Sequence, residues 1–557
     1  MRCASIVRWL LLASSCFWVS LPARAQPLPD PVQESLPGTV EPIPVPTPAE
    51  DPIELQEEPV PASDPSSDIP TETFQVRDIQ VVGNTRFENE IEALVSPLEG
   101  QEISLADLLS LRTDITNLYL EAGYLSSGAF VPNNQDLTDS TVRIQVVEGA
   151  VEQLQISGLG RLREGYVRDR INRATKTPLN IEQLEVGLQL LQTDPLLQSV
   201  DAELTAGSGP GQSLLIVELE EADPFFATLS TNNYRAPSIG SSQASAGLTH
   251  LNVLGIGDRL SVGYSFTEGL NNYQAHYTLP LNGLDGTLQL SYQNSDSDIV
   301  EELFADAGIR SESETWSVNL KQPLVRSVAQ EFSLGLGLDV RESRSFILDD
   351  IPFSFSVGPE DGVSKVSVLR FSQEWVNRDI DTVLALRSQF NVGLDIFDAT
   401  VNDTGTDGRF FSWLGQFQWV EQFSAGKLLL ARLNAHLTGD SLLPLERFSV
   451  GGIDTVRGYA QNQLVTDNAV TFSTEMRFPI FADFQLAPFV DTGGGWNNRT
   501  ANPETSFLLG TGLGLRWQPS DTINFRLDYG IPLIDAGDEG NSLQEHGLYF
   551  SINTVPF

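Results

Sequence analysis

Ile523-Asn524-Phe525-Arg526-Leu527-Asp528-Tyr529 sets four apolar side chains at alternate positions, with an amide and two charges between them. Successive side chains of a strand point to opposite faces, so this stretch makes one greasy face and one charged face. Leu429, Ala431, Leu433, Ala435 and Leu437 alternate in the same way with Leu430, Arg432, Asn434 and His436. Leu260, Val262, Tyr264 and Phe266 alternate with Ser261, Gly263 and Ser265. A soluble sandwich turns the charged face to water, whereas a membrane barrel turns it to a wet lumen, and period alone does not separate them. Connection lengths do. From about sixteen strands in residues 223–557, short connections (Gly255-Ile256-Gly257, residues 422–425 and 479–483, Pro519-Ser520) alternate with long polar ones at residues 295–313, 343–363, 439–468 and 531–545. Short turns on one rim and long loops on the other mark an outer-membrane barrel. An even strand count returns both barrel ends to the short-turn, periplasmic rim, where everything N-terminal must then lie.

The rest of the chain agrees with a bilayer destination. Arg2 and Arg8, the apolar run from Trp9 to Leu21, and Ala23-Arg24-Ala25 form an export signal, expected to be cleaved after Ala25. A lipoprotein reading at Cys16 is opposed by Ala13, which stands where leucine is wanted. Both cysteines, Cys3 and Cys16, fall inside residues 1–25, so a mature chain has neither disulfides nor thiolate sites. No later run of eighteen apolar residues occurs, which excludes a transmembrane helix and leaves a closed barrel as the structure that satisfies its backbone in lipid. The formal charge is 33 − 74 = −41, or 30 − 74 = −44 without the signal's three arginines. Such a field repels nucleic acid.

Residues 26–73 are rich in proline and acid and contain neither Lys nor Arg, the composition of an extended, solvated spacer. Residues 74–149 read as a small α+β unit: a strand to Val82, a Gly83-Asn84 turn, and a helix through Leu105, Leu108, Leu111, Ile115 and Leu118. Ser104 caps that helix, Gly123 ends it, and two more strands follow. Residues 150–222 repeat the plan, with a helix through Ile181, Leu184, Leu188 and Leu191 behind an Asn180 cap.

Gly451-Gly452-Ile453-Asp454-Thr455-Val456-Arg457-Gly458-Tyr459 resembles the loop signature of two-partner secretion transporters, the ShlB/FhaC-type relatives of BamA barrels. Val82-Gly83-Asn84-Thr85, Glu121-Ala122-Gly123-Tyr124 and Val147-Glu148-Gly149 are similar to the polypeptide-transport-associated (POTRA) domain of that family. The resemblance implies a sixteen-stranded barrel, two periplasmic POTRA domains, and export of one large, extended haemolysin- or adhesin-like exoprotein. The partners it implies are that unfolded exoprotein, outer-membrane lipid and, during biogenesis, the barrel-assembly machinery. A BamA-like assembly factor is the second reading, set back by the count of two such domains; a passive porin needs none. Some relatives carry an N-terminal helix that plugs the barrel, which the prolines of residues 26–73 argue against.

Within the motif of Gly451, Gly452, Val456, Arg457, Gly458 and Tyr459, the resemblance implies that the loop folds into the lumen and that Arg457 meets a wall acid. The plain alternative is a solvated loop arginine. Asp491, in Phe489-Val490-Asp491-Thr492-Gly493, resembles the wall acid, and Glu475 faces the lumen if Phe472, Thr474, Met476 and Phe478 face lipid. Gly493, Gly494 and Gly495, with Gly510, Gly512 and Gly514, either make room for the loop or ease strand curvature. His250, His276, His436 and His546 lack ligand spacing, so neither metal, cofactor nor catalytic residues are expected.

Overall fold

The computed structural model describes residues 28–35 and 73–556, apart from Asn134, residues 136–138, 424–425, Ala482 and residues 538–539. The export signal, most of the proline-rich stretch and the terminal Phe557 lie outside the described residues.

Sixteen antiparallel strands close into a barrel, from Phe225–Asn232 to Leu548–Thr554, joined in sequence order by hairpins. A two-residue strand, Ile351–Pro352, adds to one long hairpin without spanning. Closure is brief: the last strand meets the first over four residue pairs, Ser551↔Asn232 to Thr554↔Leu229. The alternation that opened the sequence reading is realised as drawn. Leu527 and Tyr529 are exposed on the outer wall while Asp528 between them is fully buried inside. Hairpins such as Arg310–Arg326 with Gln330–Ile347 run for 17 and 18 residues. Strands Thr287–Asp298 and Gln330–Ile347 therefore absorb Ser295 and Ser343, which composition assigned to loops.

Two α+β units precede the barrel. In the first, Asp78–Val82, Thr141–Val147 and Gly128–Phe130 form a three-stranded sheet. The helix Leu105–Glu121 packs on it, opened by a reciprocal Ser104–Asp107 capping box. A helix at Glu88–Val95 went unseen in the sequence: it spans only two turns and no capping side chain announces it, although Ile91 and Val95 are buried one turn apart. In the second unit, Ala150–Ser157, Gln212–Glu221 and Leu197–Ala206 form the sheet under helices Glu164–Ala174 and Ile181–Gln192. The units are bonded to each other, Asn180 Nδ2 donating to the Ala122 carbonyl at 2.9 Å and Leu179 N–H to Gly149 at 2.7 Å. The second unit meets the barrel rim, where Arg163 N–H donates to Gly255 at 2.8 Å and Arg170 pairs with Asp285.

The expectation of a solvated spacer without helix fails at its N-terminal end. Pro31–Glu34 is one helical turn, with Pro31 and Val32 buried. Proline disfavours helix interiors, but Pro31 occupies the first turn, where its missing N–H would be unpaired anyway. Asp30 caps the turn, its carboxylate accepting from Val32 N–H at 3.1 Å. Val32 joins Val366, Val368, Phe410, Leu442, Leu443 and Leu445 in a buried cluster. Val366 and Val368 share a face with Arg370, opposite the exposed Phe371, so the turn lies against the inner wall.

Candidate functional site

The connection between strands Lys427–Thr438 and Asn468–Phe481 does not project into solvent; it turns back into the lumen. Within it, Phe448–Val450 and Leu464–Thr466 pair as a short ribbon. Its tip, from Gly451 to Tyr459, is buried almost throughout. Gly451, Gly452 and Gly458 take positive φ values of 113°, 88° and 102°, which L side chains rarely adopt, and this fixes the glycines of the motif.

Arg457, 3% exposed, brings together both expected acids and a third. Its Nε and Nη2 donate to the two Asp491 oxygens at 2.7 and 3.0 Å, a bidentate fork, and its backbone N–H reaches Asp491 Oδ2 at 3.1 Å. Nη1 donates to Glu475 Oε2 at 2.6 Å and to Asp528 Oδ1 at 3.0 Å. The guanidinium carbon sits 3.5 Å from the centre of the Phe489 ring. Burial alone would lower the Arg457 pKa, but Asp491, Glu475 and Asp528 outweigh it and raise it. The carboxylates are shared in turn: Arg516 Nη2 donates to Glu475 at 2.7 Å and Asp528 at 2.8 Å, Arg477 to Glu475 at 2.8 Å, and Arg526 to Asp528 at 2.7 Å. Ser473 Oγ donates to Asp491 at 2.6 Å.

The glycines facing this knot make room for the loop. A Cβ on Gly510 would stand 2.0 Å from the Arg457 carbonyl, and one on Gly493 would lie 3.0 Å from a Val456 methyl. A Cβ on Gly512 would meet the Phe489 ring at 2.5 Å. For Gly493 and Gly510 the room-making reading therefore holds, whereas the contacts at Gly512, the Tyr529 carbonyl at 2.0 Å and the Phe489 ring, belong to neighbouring wall strands.

Further ties escaped the sequence reading. The Tyr549 hydroxyl donates to the Tyr459 carbonyl at 2.6 Å and accepts from Gly458 N–H at 2.9 Å. The Tyr459 hydroxyl lies 2.9 Å from the carbonyl oxygens of both Leu509 and Ile534. Glu446, in the turn Pro444–Glu446 that precedes the ribbon, reaches other strands: Arg341 Nη1 donates to it at 2.8 Å and Arg370 Nη2 at 2.9 and 3.1 Å. Burial would raise the Glu446 carboxyl, but Arg370 and Arg341 hold it below the usual range. Asn462 Nδ2 donates to the Gln33 and Glu34 carbonyls at 3.0 and 3.2 Å, tying the N-terminal turn to the same loop. The partners of these ties lie tens to hundreds of residues away in sequence, so no local motif announces them.

Among the described residues no group of His, Cys, Asp and Glu is arranged to hold a metal ion. What the site offers chemically is a charged, hydrogen-bonded obstruction inside a pore.

A family model described as haemolysin secretion/activation protein ShlB/FhaC/HecB matches residues 211–517, and one for the ShlB-type POTRA domain matches residues 74–149. The outer membrane transporter CdiB of Escherichia coli is 24% identical over 489 residues, 83% of this chain and 79% of the relative. The hemolysin transporter protein HpmB of Proteus mirabilis is 21% identical over 80% of each chain. Among solved structures, CdiB from Escherichia coli superposes with a TM-score of 0.67 at 23% identity, covering 89% of this chain and 92% of that one. BamA from Haemophilus ducreyi lacking POTRA domains 1-3 gives 0.53 at 16% identity, covering 86% of this chain and 100% of that one. At such identities these two likenesses speak for the fold alone.

Proposed function

We propose, from the premise that the chain belongs to the haemolysin secretion/activation family ShlB/FhaC/HecB, that it passes one large partner exoprotein from the periplasm through its lumen to the outside. The family is one of outer-membrane transporters rather than enzymes. The observation that carries the finer reading is the combination of a lumen occupied by an anchored loop with periplasmic sheets that keep open edges. Leu197–Ala206 pairs with Gln212–Glu221 on one side and, among the described residues, with no strand on the other. In the first unit Asp78–Val82 is likewise an edge. An unfolded polypeptide adds to such an edge through main-chain hydrogen bonds, and side-chain pockets supply selectivity. Capture by these units also supplies energy that a periplasm without ATP cannot.

Deletion of residues 74–149 tests this. The barrel should still assemble, seen as a heat-modifiable band in outer-membrane fractions, while the exoprotein accumulates in the periplasm. Undiminished secretion into the medium would refute capture by the first unit.

A further inference from the structure

We propose that the lumen loop is a strap tied to both halves of the barrel, and that the Glu446 tie to Arg341 and Arg370 is the one that lets go when the pore opens. Counting spanning strands from Phe225–Asn232 as the first, the loop leaves the eleventh and returns to the twelfth. Arg457 is held by Glu475, Asp491 and Asp528 on the twelfth, thirteenth and fifteenth. Tyr549 on the sixteenth grips Gly458 and Tyr459. Both covalent ends and the whole tip thus belong to one side. Arg341 and Arg370 stand on the seventh and eighth strands, across the lumen. Glu446 reaches them with a side chain only 5% exposed, and Arg341 also donates to the neighbouring Leu445 carbonyl at 2.5 Å.

The two ends are unequal. Arg457 has three carboxylates, an aromatic face and glycines that admit its backbone. Glu446 has one carboxylate between two arginines, and Arg370 keeps Asp339 as a partner if Glu446 leaves. Release at Glu446 therefore strands less charge than release at Arg457, and the freed arm can fold back onto strands eleven to sixteen, clearing the opposite side. The N-terminal turn covers this tie: Val32 packs in one cluster with Leu442, Leu443 and Leu445, so the turn must move before the strap does.

The proposal rests on the reading of the lumen as a conduit, but channel recording tests it without any exoprotein. Purified full-length protein is reconstituted in planar bilayers. Glu446→Gln should raise the frequency of large openings at least tenfold, and Arg341→Gln, which cuts the tie from the wall, should do the same. The Glu446→Gln/Arg341→Gln double variant should open no more often than Glu446→Gln alone, because both changes cut one tie. Parental opening frequency in both single variants would overturn the proposal, as would additive gains in the double variant. Failure of secretion with these conductance results intact would count against the proposed function and leave the strap standing.

Discussion

Arg457 spends its charge on three carboxylates that already have other partners, and this sharing decides what its removal costs. Glu475 and Asp528 keep Arg516, and Glu475 keeps Arg477, but Asp491 is left with Ser473. Breaking a buried pair from one side costs about 3–5 kcal/mol, a range that lumen water reduces. Arg457→Ala should loosen the loop and change conductance while the barrel still assembles. Asp491→Ala should do the same to a smaller degree, since Nη1 retains Glu475 and Asp528. The double variant should be no worse than Arg457→Ala alone. Independent, additive losses of gel-shift melting temperature would mean that the two residues do not act as a pair. Arg457, Asp491 and Glu475 were legible because each sits in a short motif or on a strand whose lipid face is plain. Asp528 was legible as a lumen residue, but its bond to Arg457 was not. Glu446 and Tyr549 carried no signal at all, because barrel closure alone brings them to the loop.

Elements divide along the same line. Strands declared themselves through a period of two imposed by lipid on one side and water on the other, and the long helices through capping residues and apolar stripes. The single turn Pro31–Glu34 could not, since four residues carry no period and its stability comes from Val32 entering a cluster built by the barrel. Its environment predicts a pH response. Burial pushes the Glu34 carboxyl from 4.5 up to about 7, with Asp30 and Glu301 adding to the rise and the Ser238 hydroxyl, donating at 2.8 Å, opposing it. An acid whose docked pKa is raised favours docking while protonated. The contribution is complete below about pH 4.5 and is lost as pH rises through 7. A Ser35→Cys variant should therefore react severalfold faster with an impermeant maleimide at pH 8 than at pH 5, after correction for thiolate fraction. Glu34→Gln should abolish the difference. Equal corrected rates in the parent would show that the turn does not follow this carboxyl.

At the scale of the molecule, sixteen strands, a lumen strap and two periplasmic units form one continuous arrangement. The even strand number places both barrel ends on the rim that Arg163 and Arg170 of the second unit contact. That a barrel of this kind lies in the outer membrane follows from the family. Whether its lumen carries a polypeptide is decided by reconstituting secretion in a host that lacks it. The chain is expressed with a large haemolysin- or adhesin-like exoprotein from the same genome, in a Gram-negative host that has no such transporter, and the exoprotein is quantified in medium and periplasm. Full-length exoprotein should appear outside the cell when the chain is present and stay in the periplasm when it is absent. Retention in the periplasm despite a correctly assembled barrel would contradict passage through the lumen.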